Sequence, residues 1–208
     1  MRLYGKWVAN KFAVEQFRKG TVPRPANRLQ FIDLGQPRLS EVARVVAADD
    51  MRVGAYTVAN QPEVPRRLTV THAVAVGVDT LGYIEIEGTN ILDDTIIETI
   101  IPEEDDTVIT ENIFKSVTRI EGFDWVIGAA NEDQLSVGLD DLLGIPISVE
   151  GYEQLIFAML GTEIISPDAF DAYVVDDLPN AAIDVSGATY DGTKRLYLLA
   201  YYNEIYVS

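Results

Sequence analysis

Apolar and polar residues alternate over residues 67–76, a period of two that places the apolar side chains on one face of a β-strand. Residues 83–87 repeat the pattern. Residues 95–101 follow after turn-forming residues at 88–90 and 93–94, so the two segments are predicted to pair as a hairpin. Further short strands are predicted at residues 108–109, 116–120, 134–137, 145–149, 172–175, 182–185 and 195–202.

This series of short strands predicts a mainly β protein, either an antiparallel β-sandwich or a jelly-roll-like barrel. Two segments carry a mixed signal. Residues 40–47 fit a short helix with Ser40 as its N-cap, but their β-branched residues equally allow a strand. Residues 151–160 are the best helix candidate of the second half, although 155–159 also allow a strand.

The first 63 residues show little sustained periodicity and are punctuated by prolines. Residues 4–17 carry several apolar and aromatic side chains that need a partner surface. We therefore predict an extended N-terminal arm with short elements over residues 1–63, followed by a β domain over residues 64–208.

The charge is divided in the same way. Residues 1–67 hold twelve Lys and Arg against six Asp and Glu, whereas residues 68–208 hold four against twenty-seven, within a net charge of −17. A basic arm joined to an acidic body is typical of a chain whose arm binds an acidic surface, on a neighbour, on another copy or on nucleic acid. The residues predicted to form the arm interface are Arg2, Lys6, Trp7, Lys11, Phe12, Phe17, Arg18, Lys19, Arg24 and Arg28.

Several classes of function lack their required residues. The chain has no cysteine and one histidine, His72, which lies in the apolar phase of a predicted strand. It has no G-x-S-x-G elbow and no glycine-rich phosphate loop, so we predict no enzymatic activity and no cofactor. Glu103, Glu104, Asp105 and Asp106 form the densest acidic cluster, a weak Ca²⁺ candidate that is more simply explained as a solvated turn.

The sequence also disfavours membrane insertion, secretion and binding to nucleic acid. It contains no apolar run of the roughly 18–20 residues that cross a bilayer, and its start lacks the apolar core of a secretory signal. The strongly acidic body would repel nucleic acid, which disfavours that partner.

Five segments of the second half resemble, in order, a family of structural proteins encoded by tailed bacteriophages. Residues 78–90 resemble the family's "DTxGxxxVxGT" hairpin, 98–100 its "ETI" strand and 113–120 its "AFKxVTxI" segment. Residues 137–146 are similar to its "VGxxDKLGLP" turn, with Leu142 in place of the usual Lys, and 191–198 to its closing "DGxxxyxL" strand. The resemblance spans about residues 64–208, and the basic arm is longer than the family's core requires.

The resemblance implies a head decoration (cement) protein that is made in the bacterial cytoplasm and binds the assembled capsid shell of the virion. Its expected partners are the major capsid protein and further copies of itself, as a dimer or trimer. The alternatives are a neck, tail or baseplate component, or a glycan- or receptor-binding β module on the virion surface. The last would use exposed tyrosines, for which the sequence offers Tyr197, Tyr201, Tyr202 and Tyr206.

Overall fold

The computed structural model describes residues 27–75, 82–126, 133–147, 155–165, 178–186 and 191–203. These residues form thirteen β-strands and no helix. The strands are β1 (Asn27–Asp33), β2 (Glu41–Asp50), β3 (Gly54–Ala55), β4 (Arg66–Ala73), β5 (Tyr83–Thr89), β6 (Thr95–Ile100), β7 (Thr107–Ile109), β8 (Ser116–Phe123), β9 (Gln134–Gly144), β10 (Leu155–Leu160), β11 (Glu163–Ile165), β12 (Ala182–Asp184) and β13 (Leu196–Asn203).

The strands form three antiparallel sheets. The first sheet has the order β1-β13-β10-β11, and the third has the order β3-β8-β5-β6. The second sheet has the order β12-β9-β4-β7, and β2 also pairs with the long strand β9. The mainly β class that the alternating pattern predicts is therefore confirmed, as is the hairpin of β5 and β6.

Two clusters of buried apolar side chains lie between the sheets. One joins the second and third sheets through residues such as Val70, Val137 and Ile86. The other packs the inner side of the first sheet against β12 and the end of β9, with Leu198, Ile183 and Leu143 fully buried. Because β9 supplies residues to both clusters, it connects the two parts of the core.

The helix preferred for residues 151–160 is wrong where the structure describes the segment, and the strand that residues 155–159 also allow is confirmed. Residues 155–160 are strand β10, which lies between β13 and β11. Ala158 and Leu160 point into the core, while Met159 is half-buried on the other side. Residues 41–50 are likewise a strand, the second of the two alternatives for that segment. Residues 137–144, which resemble a turn of the phage family, continue strand β9.

The predicted arm needs a correction at its boundary. Residues 27–63 contain β1, β2 and β3, and these strands pair with β13, β9 and β8 of the predicted body. The sheets therefore begin at Asn27 at the latest, and "the N-terminal segment" below means residues 1–26 only.

The strand predicted at 172–175 lies outside the described residues. Residues 145–147 of another predicted strand are described and lie outside any strand. Within the described ranges, no helix is long and apolar enough to cross a membrane.

Candidate interaction surface

The outer side of the first sheet is apolar, although it does not face the core. In β1 and β13, Ile32, Leu198 and Ala200 point inward and are buried. The alternate positions point outward, because successive side chains of a strand lie on opposite sides of a sheet. The outward residues define what we call the apolar face: Leu29, Phe31, Met159, Ile164, Tyr197 and Leu199.

The apolar face is continuous across all four strands. The register pairs Phe31 with Leu199, Tyr197 with Met159, and Met159 with Ile164. The rings of Phe31 and Tyr197 stack with centroids 5.3 Å apart. Leu29, Phe31 and Ile164 remain 50%, 59% and 54% exposed. Single exposed apolar residues are ordinary, but a contiguous apolar patch of this kind marks a surface that another surface covers.

Charged side chains lie beside the apolar face. Arg195 pairs with Asp33 of β1 at 2.8 Å. Both side chains are more than one third exposed. An apolar centre with a polar, solvated rim is the usual arrangement of a protein–protein interface.

Most of the predicted arm interface lies outside the described residues. Of its ten members, Arg28 alone falls within them, on β1 opposite Tyr202 of β13. The N-terminal segment nevertheless leads directly into β1, the edge strand of the apolar face. Among the predicted tyrosines, Tyr197 lies on that face, Tyr201 and Tyr202 lie within β13, and Tyr206 lies outside the described residues.

A buried arginine that the sequence analysis missed fixes the chain between β1 and β2. The Arg66 side chain is fully buried; its Nε donates to the carbonyl oxygen of Asp140 at 2.6 Å, and its Nη2 donates to the same oxygen. Its Nη1 donates to the carbonyl oxygen of Arg38 at 3.1 Å and to Glu63 Oε1 at 2.7 Å. Burial lowers the pKa of the Arg66 guanidinium, and the nearby carboxylates of Glu63 and Asp141 oppose that shift. Arg66 therefore binds the segment after β1 to the end of β9.

The single histidine takes part in a buried polar pair. His72 Nε2 lies 3.3 Å from Asp133 Oδ2, and both side chains are almost completely buried. The other carboxylate oxygen of Asp133 accepts from the Ala75 amide at 2.8 Å, and its backbone carbonyl accepts from the Met51 amide. These contacts hold the end of β4 against the start of β9. The His72–Asp133 pair therefore has a structural role.

The predicted acidic cluster lies in the connection between β6 and β7. Glu103, Glu104, Asp105 and Asp106 are all exposed, and Asp106 Oδ1 accepts from the Thr107 amide. Within the described ranges, no group of three or more His, Asp or Glu side chains is arranged to hold a metal ion. The four acidic residues therefore form a solvated turn.

Comparison of the chain with protein-family models, with curated proteins and with solved structures gives no match.

Proposed function

We propose that this chain is a structural protein of a tailed-bacteriophage virion, and that it decorates and stabilises the assembled capsid. The five ordered motifs of residues 78–198 support the class of protein. The antiparallel fold supports a role in binding broad surfaces, since proteins of this architecture can present a whole sheet side to a partner. In this proposal the apolar face contacts the shell, and the basic N-terminal segment contacts neighbouring subunits.

The observation that carries the proposal is the apolar face, whose edge strand β1 directly follows the basic N-terminal segment in the sequence. Burying a large apolar side chain contributes about 1.5–3 kcal/mol, so Phe31, Ile164 and Leu29 could supply most of the binding free energy. Charges at the rim and on the N-terminal segment would mainly raise the association rate and set the orientation.

Binding to shells that lack the protein tests the role of the apolar face. Purified chain would be mixed with such shells of the encoding phage and sedimented, with Phe31→Ser compared against Ile97→Ser. Both side chains are exposed, at 59% and 55%, but Ile97 lies on the third sheet. We expect Phe31→Ser to lose most of the bound fraction and Ile97→Ser to keep it. Equal binding by the two variants would contradict the assigned face.

The copy number in purified virions tests the position in the particle. Quantitative mass spectrometry would compare the chain with the major shell protein. A number comparable to the shell protein supports decoration. A number that fits one ring would assign the chain to the neck, tail or baseplate, and absence from the particle would refute the proposal.

A further inference from the structure

We propose that, in the free chain, the apolar face is the docking site of the chain's own residues 4–17. The N-terminal segment holds apolar side chains of the size that such a face accommodates, among them Trp7, Phe12 and Phe17. The exposed residues of the face are Leu29, Phe31 and Ile164, so aromatic groups of the segment would pack against an aliphatic and aromatic surface.

The connection between the two is short but sufficient. Residues 18–26 separate Phe17 from Asn27, the first residue of β1. Nine residues span up to about 30 Å when extended. The four strands of the first sheet lie about 14 Å across, from three spacings of about 4.8 Å. Gly20, Pro23 and Pro25 in this connection are residues that favour a reversal of chain direction.

The short connection also decides between the chain's own segment and that of a second copy. A short flexible linker gives an effective concentration of about the millimolar range. A second copy at micromolar concentration cannot compete with it at equal intrinsic affinity. Docking is therefore expected within one chain, and this contact is not expected to join two free copies.

Electrostatic attraction also favours docking of the N-terminal segment within its own chain. Residues 1–26 hold six Lys and Arg and a single acidic residue, Glu15, while the remainder of the chain is strongly acidic. Asp33 on β1 lies opposite Tyr197, on the same side of the sheet as the face. The segment is thus attracted towards the sheets before its apolar groups make contact.

Fluorescence of Trp7 tests the docking in the purified chain. The sequence has two tryptophans, and the second, Trp125, packs into the core cluster between the second and third sheets. A Trp7→Phe variant supplies the signal of Trp125 alone, which is subtracted. The double variant Phe31→Ser/Ile164→Ser removes the centre of the face, and Ile97→Ser/Ile101→Ser is the matched control. The four side chains replaced in these two double variants are all at least half exposed, so each variant is expected to fold.

We expect Trp7 to be protected from acrylamide in the wild-type chain and in the control variant. In the Phe31→Ser/Ile164→Ser variant it should lose that protection, with emission shifted to longer wavelength. Equal quenching of Trp7 in the wild-type and Phe31→Ser/Ile164→Ser chains would overturn the proposal. Protection that appears only as the protein concentration and the molar mass rise would overturn docking within one chain in favour of a second copy.

This experiment is independent of the proposed capsid function, because it uses the chain alone. If docking is found but shells are not bound, the function fails and the docking stands. If shells are bound through Phe31 while Trp7 is unprotected, the docking fails and the function stands.

Discussion

At the scale of single residues, Arg66 joins three parts of the chain that are far apart in sequence. It contacts Arg38, Glu63 and Asp140 from a position with no exposed surface. Removing one partner of a buried ionic network is costly, because the remaining groups stay buried without their hydrogen bonds.

We expect Arg66→Met to lower the free energy of unfolding by about 3–5 kcal/mol, since it leaves the Asp140 and Arg38 carbonyls and Glu63 without their donor. Denaturant unfolding would show this as a lower midpoint with an unchanged slope. Arg119→Met is the matched control, because Arg119 pairs with Glu85, Glu87 and Glu121 on the solvent side of the third sheet. A loss at Arg119 as large as that at Arg66 would contradict the importance of burial.

Two aspartates are expected to shift stability with pH in opposite directions. Burial raises the pKa of Asp140, whose Oδ2 has no hydrogen-bond partner among the described residues. Its charge therefore destabilises the fold at neutral pH, and Asp140→Asn should raise the unfolding midpoint there. That gain should disappear as the pH falls through the raised folded-state pKa towards the ordinary value of 3.8.

Asp191 gives the opposite case. Hydrogen bonds from the Thr193 hydroxyl and amide lower the pKa of Asp191. Its charge stabilises the fold above the ordinary aspartate pKa, and this contribution is lost as the pH falls through the lowered value. Asp191→Asn should therefore lower the midpoint at pH 7 and have no effect at strongly acidic pH. Midpoints of both variants measured from pH 7 downwards would check the two signs, and parallel profiles would refute them.

At the scale of elements, the hairpin of β5 and β6 depends on one buried turn residue. Asn90 Oδ1 accepts from the amides of Leu92 and Asp94 at 2.9 and 3.0 Å, and the side chain is 3% exposed. We expect Asn90→Ala to cost about 1–3 kcal/mol, because these amides lose their acceptor. Thermal unfolding would measure it against Thr95→Ala, an exposed position of the same hairpin. Equal melting temperatures would refute the role of the turn.

The success of sequence-based prediction varied between elements for physical reasons. The β5–β6 hairpin could be predicted because Ile84 and Ile86 are buried while Glu85 and Glu87 are solvated, which gives strict alternation. Strand β10 has apolar residues on both sides, so its run of six has no period that separates strand from helix. Strand β9 continues through Gly138, Asp140 and Asp141, residues that favour turns, because it has partners along its length.

The candidate interaction surface could not be predicted from the chain pattern. Trp7 and Phe12 lie outside the described residues, so their role in binding stays a prediction. Leu29 and Phe31 precede any clear periodicity, and their exposure depends on β1 pairing with β13 at the far end of the chain. Arg66 was missed for the same reason, since its partner Asp140 is distant in sequence.

At the scale of the whole molecule, the corrected boundary changes the effect of truncation. Deleting residues 1–26 leaves every described strand in place and removes only the contacts that residues 4–17 are proposed to make with the apolar face, so the melting temperature should fall by a small amount. Deleting residues 1–33 also removes β1, its seven-residue pairing with β13 and the buried Ile32, and should lower the melting temperature clearly. Similar melting of the two truncated chains would show that β1 contributes little to the fold.

The pairing of β1 with β13 has a further consequence for chain connectivity. Asn27 lies opposite Asn203, so the two ends of the described fold are direct neighbours across one ladder. A short turn could join residue 203 to residue 27, and new ends could be opened at the exposed tip of the β5–β6 hairpin near Leu92. The fold is thus suited to circular permutation. A cargo fused directly to residue 27 or to residue 203 would emerge from the same corner of the molecule.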